Sequence, residues 1–441
     1  MATIYPFRAL RYDPSIVRLE DVVTQPYDKI SPAMQQAYYQ RSPYNLVRII
    51  LGLPELFDDE TNNVYTRAAR DFSDWRRSGV MAAENEPAIF AYAQRYTLPG
   101  LNGTVKERRG FIALGQLEEY DRGIVFRHEQ TLAKPKSDRL NLLRATRAHF
   151  GQIFMLYSDP AQTAERLLFA NPSLPDVVVT DDYGVEHRLW RVNDPATINL
   201  LSSSMQDKKL IIADGHHRYE TALAYRREHQ PAGTQPRVTG VYQEPEYPEA
   251  AVMMTFVNMD SAGLTILPTH RVVFGLQNFN PEKFLAAAKD FFDIKTLGQR
   301  EPSQLMECLD TVGPATTAFI AVLRNESYLL TAREEAINTA LASLPARQRQ
   351  LDIVRLHSLV LERLLSITPE AIRDQKNLKY VREAAEAVEL VATGEANIAF
   401  LTNPVTLSEL RDVAFAGEVM PQKSTDFYPK LLSGLTVYAL Q

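Results

Sequence analysis

The pentapeptide Asp214-Gly215-His216-His217-Arg218 gathers a carboxylate, two imidazoles and a guanidinium around one glycine. It follows the short apolar run Leu-Ile-Ile-Ala and leads into YETALAYRREH, so the pattern reads strand, tight turn, helix N-terminus. Glycine lets the backbone turn sharply there. The unpaired N–H groups of the helix's first turn, with the positive end of its dipole, draw an anion, and a phosphate fits. Arg218 adds a forked donor and His217 another, with His216 between them and the turn. Asp214 is placed to cap the helix or to hold a metal-bound water, Mg²⁺ being the natural ion. The structural alternative makes Asp214 a plain cap and leaves the two histidines solvated.

A second cluster is Arg127-His128-Glu129-Gln130-Thr131, followed by Lys134, Lys136, Asp138 and Arg139. From 122 to 149 there are seven Lys or Arg against two acids, Glu129 and Asp138. Such a patch is expected to keep Glu129 ionised, as a general base or a metal ligand must be, with His128 beside it and Lys136 and Arg139 on a phosphate. The alternative is a charged helix start capped by Asp138. Leu132 breaks any His-Glu-x-x-His zinc motif. Thr269, His270 and Arg271 open a third cluster at the start of the apolar Val272-Val273-Phe274. Lys423, Ser424 and Thr425 end a proline-led turn, MPQKST, that offers an amine and two hydroxyls to phosphate. His149, His187, His229 and His357 sit in amphipathic patterns and read as packing or surface residues, and Cys308 as core.

The elements that must position these groups follow from hydrophobic period. Tyr65, Ala68, Ala69, Phe72 and Trp75 give a helix over 65–77. Between 111 and 273 strands and helices alternate: strands 111–117 and 152–157, helices 139–149 and 161–170, then the Asp214 unit. Residues 278–331 read as two helices and three strands, 347–366 as a helix, 381–392 as a helix and 396–402 as a strand. The fold class is α/β, mixed with α+β, and four segments are expected: 1–115, 116–275 carrying the Asp214 turn, 276–368, and 369–441 packing back on the core.

Composition narrows the classes. The 441 residues carry 48 Lys+Arg against 54 Asp+Glu, a net charge of −6, so no global cationic field gathers nucleic acid. One cysteine excludes an internal disulfide and a cysteine metal cage. No apolar run approaches the roughly 20 residues that span a bilayer, and the N-terminus lacks a signal-peptide core, so a cytoplasmic location is expected. P-loop, G-x-G-x-x-G and G-x-S-x-G motifs are absent from the sequence.

At PFRALR, TQPYDKIS, SPYNLVRI, HEQTLAKPKSDRLNLLRAT, LIIADGHHRYETAL, LPTHRVV and MPQKSTDFYPK the chain resembles the bacterial and archaeal family of domain of unknown function 1015, nearly end to end. Over about 118–273, strand, D-G-H-H-R and helix are also similar to the nucleotide-phosphate loop of the ParB and sulfiredoxin-like superfamily. That superfamily includes sulfiredoxin, chromosome-partitioning CTPases and free-serine kinases that use ADP or ATP. His216 stands where sulfiredoxin has its cysteine, and no helix-turn-helix of the partitioning proteins is found. The serine kinases are nearest in loop chemistry, and His128-Glu129 resembles their histidine and catalytic acid.

These readings lead to one expectation: a nucleotide-dependent phosphotransferase with Mg²⁺ and ATP or ADP, acting on a small hydroxyl substrate, free L-serine first, with Glu129 as base. Two alternatives stay open. A metal-dependent phosphoesterase would use His128, His216, His217 and His270 with Asp214 or Glu129 as ligands. A non-enzymatic regulator would use the turn for nucleotide binding alone.

Overall fold

The structure, a computed structural model, describes residues 2–99, 103–129, 133–170, 172–231, 237–239, 242–313 and 316–440. Gln130 and Thr131, and the side chain of Lys134, lie outside the described residues. The chain forms two compact units, Met1–Arg127 with Thr131–Leu264 and Pro429–Gln441, and His128–Gln130 with Thr265–Tyr428. This grouping differs from the four consecutive segments read from sequence. Hydrogen-bonded strands, not turn clusters, decide which residues fold together, and the first unit's main sheet recruits strands from Ile4–Tyr5 to Ala251–Asn258.

In the first unit the described residues build a nine-stranded mixed sheet. Its order runs Val125–Phe126, Leu210–Asp214, Ile153–Tyr157, Ala251–Asn258, Val105–Gln116, Ile89–Thr97, Glu186–Val192, Val177–Thr180, with Ile4–Tyr5 beside Val105–Gln116. Ala251–Asn258 is buried along its whole length, the mark of a strand covered on both faces. Gly110 sits where this strand passes closest: a Cβ there would lie 2.3 Å from the Phe256 carbonyl oxygen. The helix Val64–Arg77 forms as its spacing predicts. Asn63 and Thr66 close a capping box, and Ala68, Phe72 and Trp75 face the core.

Leu210–Asp214 pairs parallel with Val125–Phe126 and antiparallel with Ile153–Tyr157, and its register shifts between Ile212 and Asp214. The irregularity frees the strand end to enter the turn at Gly215 and the helix His216–His229. The end of the chain is woven into the same unit: Ser433 bridges Thr24, Val437 bridges Leu10 and Tyr438 pairs with His149.

The second unit is built on a six-stranded antiparallel sheet: Phe292–Gly298, Ser327–Ala332, Ala318–Val322, Ile398–Thr402, His270–Val273, Leu378–Val381. The two helices and three strands expected over 278–331 are present. The helix expected over 347–366 is not continuous. It breaks into Ala346–Gln350 and Asp352–Arg355, then a π-helical Leu356–Leu364. The expected helix at 381–392 begins only at Ala384, after the strand Leu378–Val381. Among the described residues no helix is long and apolar enough to cross a membrane.

Two outcomes follow. Gly110→Ala forces a methyl group onto a neighbouring backbone carbonyl and is expected to cost about 1–3 kcal/mol of stability; an unchanged denaturation midpoint would contradict the strand register. His270, fully buried, is pushed down to about 4 by burial and by Arg271. Between that value and 6.5 the unfolded chain binds a proton that the folded chain refuses, so stability rises with pH across this window and is lost on acidification. About 3 kcal/mol is expected to disappear between pH 7 and 4 through this one group. Denaturation curves of the protein and of His270→Gln, compared across that range, check it: the variant's dependence is the shallower, and equal slopes would contradict the account.

Candidate functional site

The Asp214 turn lies at the mouth of the first unit's helix His216–His229. Gly215 takes the N-cap position with φ +94°, and no side chain caps the helix. Asp214 therefore is not the cap. It is the last residue of the strand, and one of its carboxylate oxygens accepts the Gly215 N–H at 2.8 Å. Its other oxygen lies 3.6 Å from the ammonium of Lys430. A β-carbon on residue 215 would meet the Arg218 guanidinium at 3.0–3.1 Å, so glycine is needed both for its dihedral and for its lack of a side chain. Arg218 folds back over the turn and donates from Nη1 to the carbonyl of Gln152. His216 is buried and His217 half-buried.

Beside this turn is a cavity of about 70 Å³, lined among others by Tyr27, Arg139, His149, Arg218, Thr221 and Ser433. That volume takes a few waters or a phosphate-sized group, and is well below the several hundred Å³ of a site that swallows a whole ligand. The Thr221 hydroxyl, 4 % exposed, has no hydrogen-bond partner among the described residues. Arg139 reaches the wall stacked on Tyr27, its guanidinium carbon 4.2 Å from the ring centroid, donating to Asp138 and to the carbonyl of Ile50. Burial pushes the Tyr27 hydroxyl up to about 12, while Arg139 and Arg218 pull it down, so it stays a neutral donor. His149 packs as its pattern suggests, stacked on Tyr438 and pushed down to about 4 by burial, and it also lines the cavity.

The basic patch read from sequence is largely answered in space. Lys136 pairs with Glu220 at 2.9 Å and Arg127 with the same carboxylate at 3.4 Å. Arg144 pairs with Glu228. The acids come from the helix that carries Arg218, some eighty residues on, and local counting could not find them. Lys136 is thus held by a carboxylate, whereas Arg139 and Arg218 line the cavity.

Behind the turn lies a buried polar chain that the sequence did not announce. Arg108, 2 % exposed, rests on the Phe154 ring and donates to Gln94 and to the Pro429 carbonyl. Gln94 in turn donates to the Lys430 carbonyl at 2.8 Å. Tyr92 and Asp181 flank the two nitrogens of His187, at 2.7 and 3.2 Å, an arrangement satisfied when the imidazole donates to Asp181 and accepts from Tyr92.

The remaining residues singled out from sequence belong to the second unit. The Glu129 side chain, 17 % exposed, accepts at Oε1 from the N–H groups of Ser424 at 3.0 Å and Thr425 at 3.4 Å. His128 is fully buried, its Nε2 2.8 Å from the Thr425 hydroxyl, and its carbonyl accepts the Met420 N–H. Ser424 donates its own hydroxyl to Pro421, and Lys423, at φ +57°, turns the chain with its side chain exposed. The MPQKST turn is therefore a cradle for a carboxylate. Arg271 donates to the carbonyls of Thr269 and Lys423, and burial pushes it down to about 10. His270 begins the strand His270–Val273, and its Nδ1 accepts the Thr402 N–H inside the sheet. Cys308, expected as core, is only partly buried, with Arg300 3.3 Å from its sulfur.

No group of three or more His, Cys, Asp or Glu that could hold a metal occurs among the described residues. The Asp214 carboxylate faces Lys430 and the Gly215 N–H, and among the described residues no ligand set for the metal-hydrolase alternative is found.

Among solved structures, the chain is similar to a free serine kinase in complex with AMP, at 14% identity and a TM-score of 0.33, covering 69% of this chain and 83% of that one. It is also similar to SbnI with a C-terminal truncation from Staphylococcus aureus (11%, TM-score 0.35, 73% and 85%) and to a conserved hypothetical protein from Pyrococcus furiosus (13%, TM-score 0.32, 70% and 89%). No curated protein matches. The sequence itself decides the family: residues 4–354 match the one described as Protein of unknown function (DUF1015), and the chain belongs to it.

Proposed function

We propose that this protein is a nucleotide-dependent phosphotransferase that uses ATP or ADP to phosphorylate a small hydroxyl substrate, free L-serine first, giving O-phosphoserine. The observation that carries the reading is the uncapped helix N-terminus after Gly215, set beside Arg218 and a phosphate-sized cavity whose Thr221 hydroxyl awaits a partner. Around Asp214 the cations Arg108, Lys430 and Arg218 outnumber the acid, so the neighbourhood favours an anion although the whole chain carries −6. The likeness of the D-G-H-H-R loop to the free-serine kinases supports the choice of reaction class.

Phosphoryl transfer asks a protein for positioning and charge neutralisation more than for covalent chemistry. Arg218, with the N–H groups of the helix, binds and orients the phosphates. Magnesium belongs to the nucleotide in this reading, since Mg²⁺ is commonly held by substrate phosphates with few protein ligands. In this reading Glu129, whose Oε1 accepts two backbone N–H groups, is the base that takes the proton of the acceptor hydroxyl. The hydroxyl oxygen then bonds to the terminal phosphorus as the bond to the leaving nucleotide breaks.

Incubation with ATP or ADP and L-serine, followed by detection of O-phosphoserine, tests the reaction; no product with serine or with other small hydroxyl compounds would overturn it. Glu129→Gln keeps the Ser424 and Thr425 contacts and removes the basicity, so kcat is expected to fall by about 10²–10⁴ with little change in nucleotide Kd. A kcat within a few-fold of the parent would remove Glu129 as base. Arg218→Ala is expected to weaken nucleotide binding by about 1.5–3 kcal/mol in a calorimetric titration. Unchanged affinity would remove the turn from the site.

A further inference from the structure

We propose that Lys430 is a second phosphate-binding residue of the Asp214 turn, its ammonium resting on Asp214 until the pyrophosphate portion of a nucleotide draws it away. The inference deepens the phosphotransferase reading and rests on it. Four observations carry it.

The ammonium lies 3.6 Å from the Asp214 carboxylate, and both side chains are mostly covered, at 10% and 22% exposure. The adjacent Gly215 N–H holds the other oxygen of the same carboxylate, so Asp214 keeps a partner if the lysine leaves. The backbone that presents Lys430 is clamped from beneath: Arg108 donates to the Pro429 carbonyl at 2.6 Å and Gln94 to the Lys430 carbonyl at 2.8 Å. Burying a guanidinium is costly, so fixing these two carbonyls is a strong constraint on where residue 430 stands. Finally, the two cations at the turn differ in kind. Arg218 is tied down by the Gln152 carbonyl, whereas a lysine is a point charge on a flexible four-carbon stem, able to change partner by rotating its own bonds.

The division of labour is then a fixed arginine for one phosphate and a movable lysine for its neighbour. It predicts discrimination by phosphate number. A ligand with a pyrophosphate group should feel Lys430, and one without phosphate should not.

The test is calorimetric titration of inorganic pyrophosphate, ADP and adenosine into the full-length protein, Lys430→Met and Lys430→Arg, with thermal melts of each. Pyrophosphate and ADP are expected to bind Lys430→Met 10- to 100-fold more weakly, adenosine equally, and Lys430→Arg to recover part of the loss. A merely structural salt bridge would lower the melting temperature without separating these ligands. Should Lys430→Met fail to fold, acylation of the unmutated protein gives the same answer: pyrophosphate is expected to protect Lys430 from an amine-reactive ester, and unaltered labelling would overturn the proposal. If the unmutated protein binds pyrophosphate and ADP and Lys430→Met binds them as well, the lysine's role falls while the phosphotransferase reading stands. If the unmutated protein binds neither, that reading falls and the lysine's role with it.

Discussion

The ion pair between Asp214 and Lys430 is the constraint on which the first unit's site depends. It joins the end of the strand Leu210–Asp214 to a residue more than two hundred positions later, so strand, turn and the segment that carries Lys430 must all be in place before the two charges meet. Arg108 extends the same logic one layer inward. Its guanidinium lies in the body of the sheet, and the carbonyl it needs belongs to Pro429. The final strand pairing of Tyr438 with His149 then fixes the segment at its other end.

From that framework the chemistry of the turn follows. A strand that loses register at Asp214, a glycine in the left-handed region, and a helix with no side-chain cap set the positive end of a helix dipole at the turn, and the complement of that end is an anion. The carboxylate at the turn does not oppose this, because Lys430 and the Gly215 N–H already engage it. In the second unit the arrangement is inverted. There backbone N–H groups of Ser424 and Thr425 converge on a carboxylate, Glu129, and the buried cation Arg271 holds the Lys423 carbonyl of the same turn. In the second unit the carboxylate is thus held by backbone donors of its own unit.

Much of this was readable from the sequence where information is local. The spacing of Ala68, Phe72 and Trp75 announced the helix, and the run Leu-Ile-Ile-Ala followed by Asp-Gly-His-His-Arg announced strand, turn and helix, because periodicity and glycine act over a few residues. What depends on pairing across long separations was not readable. The cations at 127, 136 and 144 looked like a patch until Glu220 and Glu228 met them. The sequence puts His270 at a strand's start but does not say that two other strands enclose it. Arg108 and Gln94 gave no signal at all, since a charged residue in an alternating strand normally points to water. The π-helix at Leu356–Leu364 escaped for a different reason: its apolar residues satisfy an ordinary helical period, and only the hydrogen-bond pattern departs from it.

The central claim is that the Asp214–Arg218 turn binds a phosphate-like anion, and the most direct measurement is anomalous diffraction from crystals soaked in tungstate, a phosphate mimic visible without ambiguity. The account predicts a tungsten peak within hydrogen-bonding distance of the Arg218 guanidinium and the first N–H groups of the helix His216–His229. Tungstate bound elsewhere, with that turn empty, would contradict it.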